Sequence, residues 1–112
     1  MKTINRTAIL VTPKQPYIDW ANSFDDDGPK FDEEATITTA FLIPDSYDEF
    51  NYQSWLEENY LGIFKQELDA WMQAPESWPQ KVTYQLFREW FEVRVAVELI
   101  DLGEEPLFIE EY

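Results

Sequence analysis

The chain has 112 residues, no Cys and no His, and 23 Asp and Glu against 8 Lys and Arg, for a net charge of −15 at pH 7. Without thiols or imidazoles there can be no disulfide, thiolate metal site, cysteine nucleophile or Ser-His-Asp triad. Self-repulsion of so much negative charge opposes contact with free nucleic acid or an anionic membrane; a basic protein surface or divalent cations stay open as partners.

The length fits one domain, residues 1–112, able to bury a core of its own. Apolar residues make up 45% of the chain, too many for a disordered segment. Five Trp, six Tyr and eight Phe mean that rings must fill much of that core.

Along the chain, "MKTINRTAILVTPK" carries Lys2 and Arg6 but only four consecutive apolar residues, too short for a signal-peptide core. No run approaches the ~18 apolar residues of a membrane span, so a cytoplasmic location is the expectation. "RTAILVT" (6–12) reads as a strand ended by Pro13. "QPYIDWANSF" reads as a helix with Pro16 in its first turn. Its apolar face would hold Tyr17, Trp20, Ala21 and Phe24.

"FDDDGPKFDEE" (24–34) follows, with Asp25, Asp26, Asp27, Asp32, Glu33 and Glu34 around Gly28-Pro29. With Gly28 at the sixth position of an EF-hand loop, Asp25, Asp27 and Glu34 occupy ligand positions. The first position is Ser23, however, the eighth is Lys30, and the residues after Glu34 read as a strand instead of the second helix. The stretch therefore reads as a charged crossover whose Asp-Gly-Pro is ordinary turn chemistry, with Ca²⁺ as the weaker alternative.

"ATITTAFLI" (35–43) is the second strand, with Ile37, Thr39, Phe41 and Ile43 on one face, and Pro44 ends it. Ser46 and Glu49 match a capping box that opens a helix running to about Met72; Ser54 and Glu57 allow a later start. The helix stripe is Tyr52, Leu56, Tyr60, Ile63, Phe64 and Trp71, with Gly62 opposite as a candidate bend. Glu67 falls within this stripe, between Leu56 and Tyr60 in projection. A carboxylate buried there needs Arg88 or Arg94 as partner, or a raised pKa. The alternative places it at the rim of the stripe, beyond a bend at Gly62.

"QAPESWPQK" (73–81) is a Pro-punctuated loop carrying Trp78, either an exposed anchor for a partner or a lid folded over the core. Thr83 is positioned to cap a third helix with Leu86, Phe87, Trp90 and Phe91 on one face. "EVRVAVELI" (92–100) alternates as a strand with one solvated face: Val93, Val95, Val97 and Leu99 inward, Glu92, Arg94 and Glu98 outward. "PLFIEEY" adds either a short edge strand or an unpaired tail.

The expected fold is α+β, a two-layer sandwich in the order β-α-β-α-α-β. Its small sheet has three strands, or four if "PLFIEEY" pairs, with the helices packed on one face. If the first and second strands are parallel, their crossover is right-handed. The segments "TPKQPYIDWAN", "SWPQKVTYQLFREWFEV" and "DLGEEPL" are similar to a group of short acidic bacterial proteins of unknown function. That resemblance implies a bacterial, single-domain, cytoplasmic protein and carries over no catalytic residue.

The functional expectation is a non-enzymatic acidic module that binds another protein through a basic surface, with no cofactor implied. Its candidate contacts are the acids of the 24–34 stretch, Asp48, Glu49, Glu57, Glu58 and Trp78. A narrower alternative is a DNA mimic, whose carboxylates (with Asp69, Glu104, Glu105, Glu110 and Glu111) would stand in for phosphates. From another class comes a carboxylate-based, divalent-metal-dependent enzyme, which needs three acids converging in one cleft. Lys14 and Gln15 could meet an anion at a helix N-terminus, though no glycine-rich loop supports it.

Overall fold

The computed structural model describes residues 1–24 and 36–112. Among them are three α-helices and five strands: β1 (Lys2–Ile4), β2 (Arg6–Pro13), α1 (Gln15–Asn22), β3 (Thr39–Pro44), α2 (Tyr52–Trp71), α3 (Tyr84–Trp90), β4 (Phe91–Ala96) and β5 (Leu99–Asp101). A single 3₁₀ turn, Pro75–Ser77, lies between α2 and α3. The fold is α+β, and the order expected from sequence gains a strand at each end.

β2 is the centre of a three-stranded sheet in the order β3-β2-β4, with both pairings antiparallel. The handedness rule for parallel crossovers therefore does not apply to the β2–α1–β3 step. Ile9 stands opposite Phe41 and Val95, and Val11 opposite Thr39 and Val93. This register gathers the branched and aromatic side chains of three strands on one face. Ile9, Val11, Ile43, Phe91 and Val93 there join Tyr17 and Ala21 of α1, Leu56, Ile63, Phe64 and Leu68 of α2, and Phe87 of α3 in one buried cluster. On the other face Glu92 and Arg94 are exposed and form an ion pair at 3.5 Å, a geometry that adds little stability in water.

Rings knit the cluster together and make up most of the half-buried side chains packed against it. Phe91 lies 5.3 Å from Tyr17, 5.4 Å from Phe64 and 5.3 Å from Phe87, so one side chain of β4 touches all three helices. Such tilted and edge-on pairs add about 0.5–1.5 kcal/mol each beyond their buried area. Three half-exposed indoles lock the periphery. Trp20 donates to the Ser77 carbonyl at 3.0 Å, Trp71 to Ala21 at 2.8 Å, and Trp78 to Met72 at 2.7 Å. The last two satisfy carbonyls at helix C-termini, which lack partners within their own helices.

Thr83 caps α3 by accepting from the Leu86 N–H at 3.0 Å. Helix α3 then passes directly into β4 at Phe91, whose backbone is already extended. The Trp90 carbonyl at this junction accepts from Lys14 N–H at 2.7 Å, which fixes the start of α1.

Several expectations fail locally. Neither capping box opens α2, which begins at Tyr52. Asp48 accepts from the N–H groups of Phe50 and Asn51, while the Asn51 side chain accepts from Asp48 N–H, and this reciprocal turn sets the start instead. Helix α1 stops at Asn22, before Phe24, although the Phe24 ring still lies 5.2 Å from Trp20. The expected strand 92–100 is broken at Val97 and Glu98, so Val97 is exposed instead of inward. β5 pairs with β1 and not with the main sheet, and "PLFIEEY" forms no strand.

The two ribbons are continuous but out of step. Ala8 pairs with Ala96, and Ile4 pairs with Leu99. Asn5, Arg6 and Thr7 thus stand opposite only Val97 and Glu98, a one-residue mismatch of the β-bulge type. It sets half-buried Ile4 beside half-buried Leu99 and leaves Lys2 opposite Asp101.

Candidate site: a buried carboxyl in an aromatic cleft

Helix α2 is a single run from Tyr52 to Trp71, and nothing approaches the outward face of Gly62. Without a break there, Glu67 keeps the helical phase of Ile63 and Phe64 and is carried inward. It is 8% exposed, so the rim position considered from sequence is ruled out. The expected arginine partners are elsewhere. Arg88 lies over the Tyr84 ring and donates to its hydroxyl at 3.0 Å. Arg94 is on the opposite face of the sheet with Glu92.

The Glu67 carboxyl meets the Thr39 hydroxyl, which β3 presents on its inner face. Burial raises its pKa above the ordinary value, and the Thr39 hydrogen bond opposes the rise only in part. The Tyr17 hydroxyl donates to the Glu67 backbone carbonyl at 2.6 Å, which ties α1 to α2 beneath the carboxyl. Burial, and then the neighbouring Glu67 charge, push the Tyr17 phenol well above its usual range.

Glu67 and Thr39 open into a cleft of about 320 Å³ also lined by Pro13, Tyr17, Ile37, Ala70 and Trp71. Ile37 and Trp71, 73% and 39% exposed, stand at its mouth. Except for the Thr39 hydroxyl, the Tyr17 phenol and the carboxyl, the side chains of the described lining residues are apolar or aromatic. No Lys or Arg is among the described lining residues.

The other candidates do not converge on this cleft. Asp25, Asp26, Asp27, Asp32, Glu33 and Glu34, including the Ca²⁺ triplet Asp25, Asp27 and Glu34, lie outside the described residues. Asp48 is half-buried and engaged in its turn. Glu49, Glu57 and Glu58 are exposed. Glu58 and Asp69 share a face of α2 but are about 16 Å apart along its axis, with Lys65 between them on that face. Trp78 is half-buried against the core, its N–H already bonded to Met72. Lys14 turns its ammonium to the Arg88 carbonyl at 3.3 Å, and Gln15 donates to Asp19 at 2.8 Å. Among the described residues no three acids are grouped to hold a metal ion, and no helix is long and apolar enough to cross a membrane.

Residues 102–112 stand out in the structure beyond what was expected of "PLFIEEY". Every residue of this segment is exposed, and none is in a helix or strand. Leu107, Phe108 and Ile109 are 64%, 83% and 83% exposed, set between the acid pairs Glu104-Glu105 and Glu110-Glu111. The signal was visible: Gly103 and Pro106 punctuate a run too short to alternate, and acid pairs bracket its apolar centre. No protein-family model, curated protein or solved structure matches the chain.

Proposed function

We propose that the protein is a non-enzymatic acidic interaction module that binds a basic surface of another protein. Residues 102–112 are its principal contact segment. The observation that carries this reading is the exposure of Leu107, Phe108 and Ile109 between two acid pairs. Apolar side chains left in water are a favourable source of binding energy when a partner covers them. The flanking carboxylates would guide encounter with a cationic rim and discriminate against acidic surfaces. The rest of the chain acts as a scaffold, its helices forming one layer over the three-stranded sheet. A decoy for a DNA-binding protein is a narrower form of the same reading, but Lys65 interrupts the acids of α2 that such a row would use.

The test is a pull-down from bacterial lysate at low and high salt, with the full chain as bait beside Phe108→Ser and a form lacking residues 104–112. The expected result is a basic protein retained at low salt, released at high salt, and lost with both altered baits. Equal retention by all three would refute the role of the segment.

A further inference from the structure

The cleft around Glu67 has a chemistry of its own, separate from residues 102–112. Its charged group is a carboxyl at the inner end of an apolar cleft with two aromatic residues in its lining, Tyr17 and Trp71. Glu67 is 8% exposed yet lines the cleft, and its carboxyl meets the Thr39 hydroxyl there. A ligand that completes this arrangement brings positive charge and hydrogen-bond donors to the inner end and apolar surface to the walls. Anions are opposed both by Glu67 and by the net charge of −15, which also concentrates cations near the surface. The volume of about 320 Å³ is at the small end of ligand pockets, which span roughly 300–1,000 Å³. That suits one ring or a short alkyl chain.

We propose that this cleft binds a primary ammonium group carried on a short apolar stem, with the Glu67 carboxylate as counter-ion and Tyr17 and Trp71 flanking the stem. The ammonium has three donors, and the Glu67 carboxylate and Thr39 hydroxyl offer acceptors within the lining. Aromatic faces beside an ammonium add cation–π attraction. The stem can belong to a free amine or to a lysine side chain, since both present the same group.

The test is an NMR titration of the full ¹⁵N-labelled chain, following the Trp71 indole N–H. Phenethylammonium represents the free amine and Nα-acetyl-lysine methylamide the side chain. Their uncharged or anionic counterparts, 2-phenylethanol, phenylacetate and the Nε-acetylated lysine derivative, serve as controls. At least one ammonium should give a saturable shift that its controls do not, and the tighter of the two identifies the source. Glu67→Gln should weaken that binding about tenfold or more, the scale of a lost charged hydrogen bond, while Thr39→Val should weaken it less. Glu67 and Tyr17 are the titratable groups of the described lining, so affinity should fall as acid protonates Glu67. No saturable shift with either ammonium would overturn the proposal, as would equal binding of the controls or unchanged affinity in Glu67→Gln. The ligand series decides the matter on the unaltered chain even if a variant fails to fold.

Discussion

Phe91 and Phe108 are the same side chain in opposite circumstances. Phe91 is 1% exposed and touched by rings from three helices; Phe108 is 83% exposed and touched by no ring among the described residues. Each has an aliphatic residue and acids close by in sequence, "WFEV" in one case and "LFIEE" in the other. The difference is cover. β4 pairs with the central strand and its Phe91 meets rings of α1, α2 and α3, whereas residues 102–112 extend past β5, which pairs only with the three-residue β1. Apolar character supplies a drive for burial, but an amphipathic helix must be present to receive it.

Four measurements would break or sharpen this contrast. The largest effect belongs to the core: Phe91→Ala should cost about 3–5 kcal/mol in chemical denaturation, whereas Phe108→Ala should stay within about 0.5 kcal/mol. Comparable losses would show that residues 102–112 are covered in solution. Next, Thr83→Ala should cost about 1 kcal/mol through its lost cap, since the helix it starts carries Phe87 onto Phe91. A neutral result would mean that packing alone holds α3.

The third effect depends on pH. Glu67 has a folded pKa above its ordinary 4.5, so the unfolded chain releases that proton first. The native state is therefore penalised progressively as pH rises from about 4.5 through the folded pKa. Glu67→Gln should run parallel to the parent below this window and gain on it through the window, with a constant gap above. Parallel melting curves throughout would mean the carboxyl is solvated. Smallest of all, removal of residues 104–112 should leave stability within about 0.5 kcal/mol of the full chain.

The legible parts of the fold were those with a strong period or a local chemical signature. The strand at 6–12, the helical faces of Tyr17 and Phe87, and the Thr83 cap could all be read from spacing. Residues whose conformation depends on distant partners could not. The start of α2 looked like a Ser46 or Ser54 cap, but Asp48 and Asn51 satisfy each other first. The regular alternation of 92–100 hid a break that only the pairing with β1 explains. Glu67 could be singled out because a carboxylate in an apolar stripe conflicts with its surroundings. Its actual partner was not visible, because Thr39 starts β3 and Glu67 lies near the far end of α2, so only the tertiary fold brings them together. Charge alone points to an arginine, whereas the fold supplies a hydroxyl.

The one-residue mismatch between the ribbons also has a mechanical meaning. A partner that pulls on residues 102–112 loads β5 first, and β5 is held by three pairs to β1. Asn5–Thr7 and the shorter Val97–Glu98 arm lie between those pairs and the six that join β2 to β4. Tension would therefore open Lys2–Asp101, then Thr3–Ile100, then Ile4–Leu99, and meet an interrupted ladder before reaching the core. The ribbon is thus the shorter ladder, with three pairs standing between a load on residues 102–112 and the six pairs that join the ring-packed body behind it.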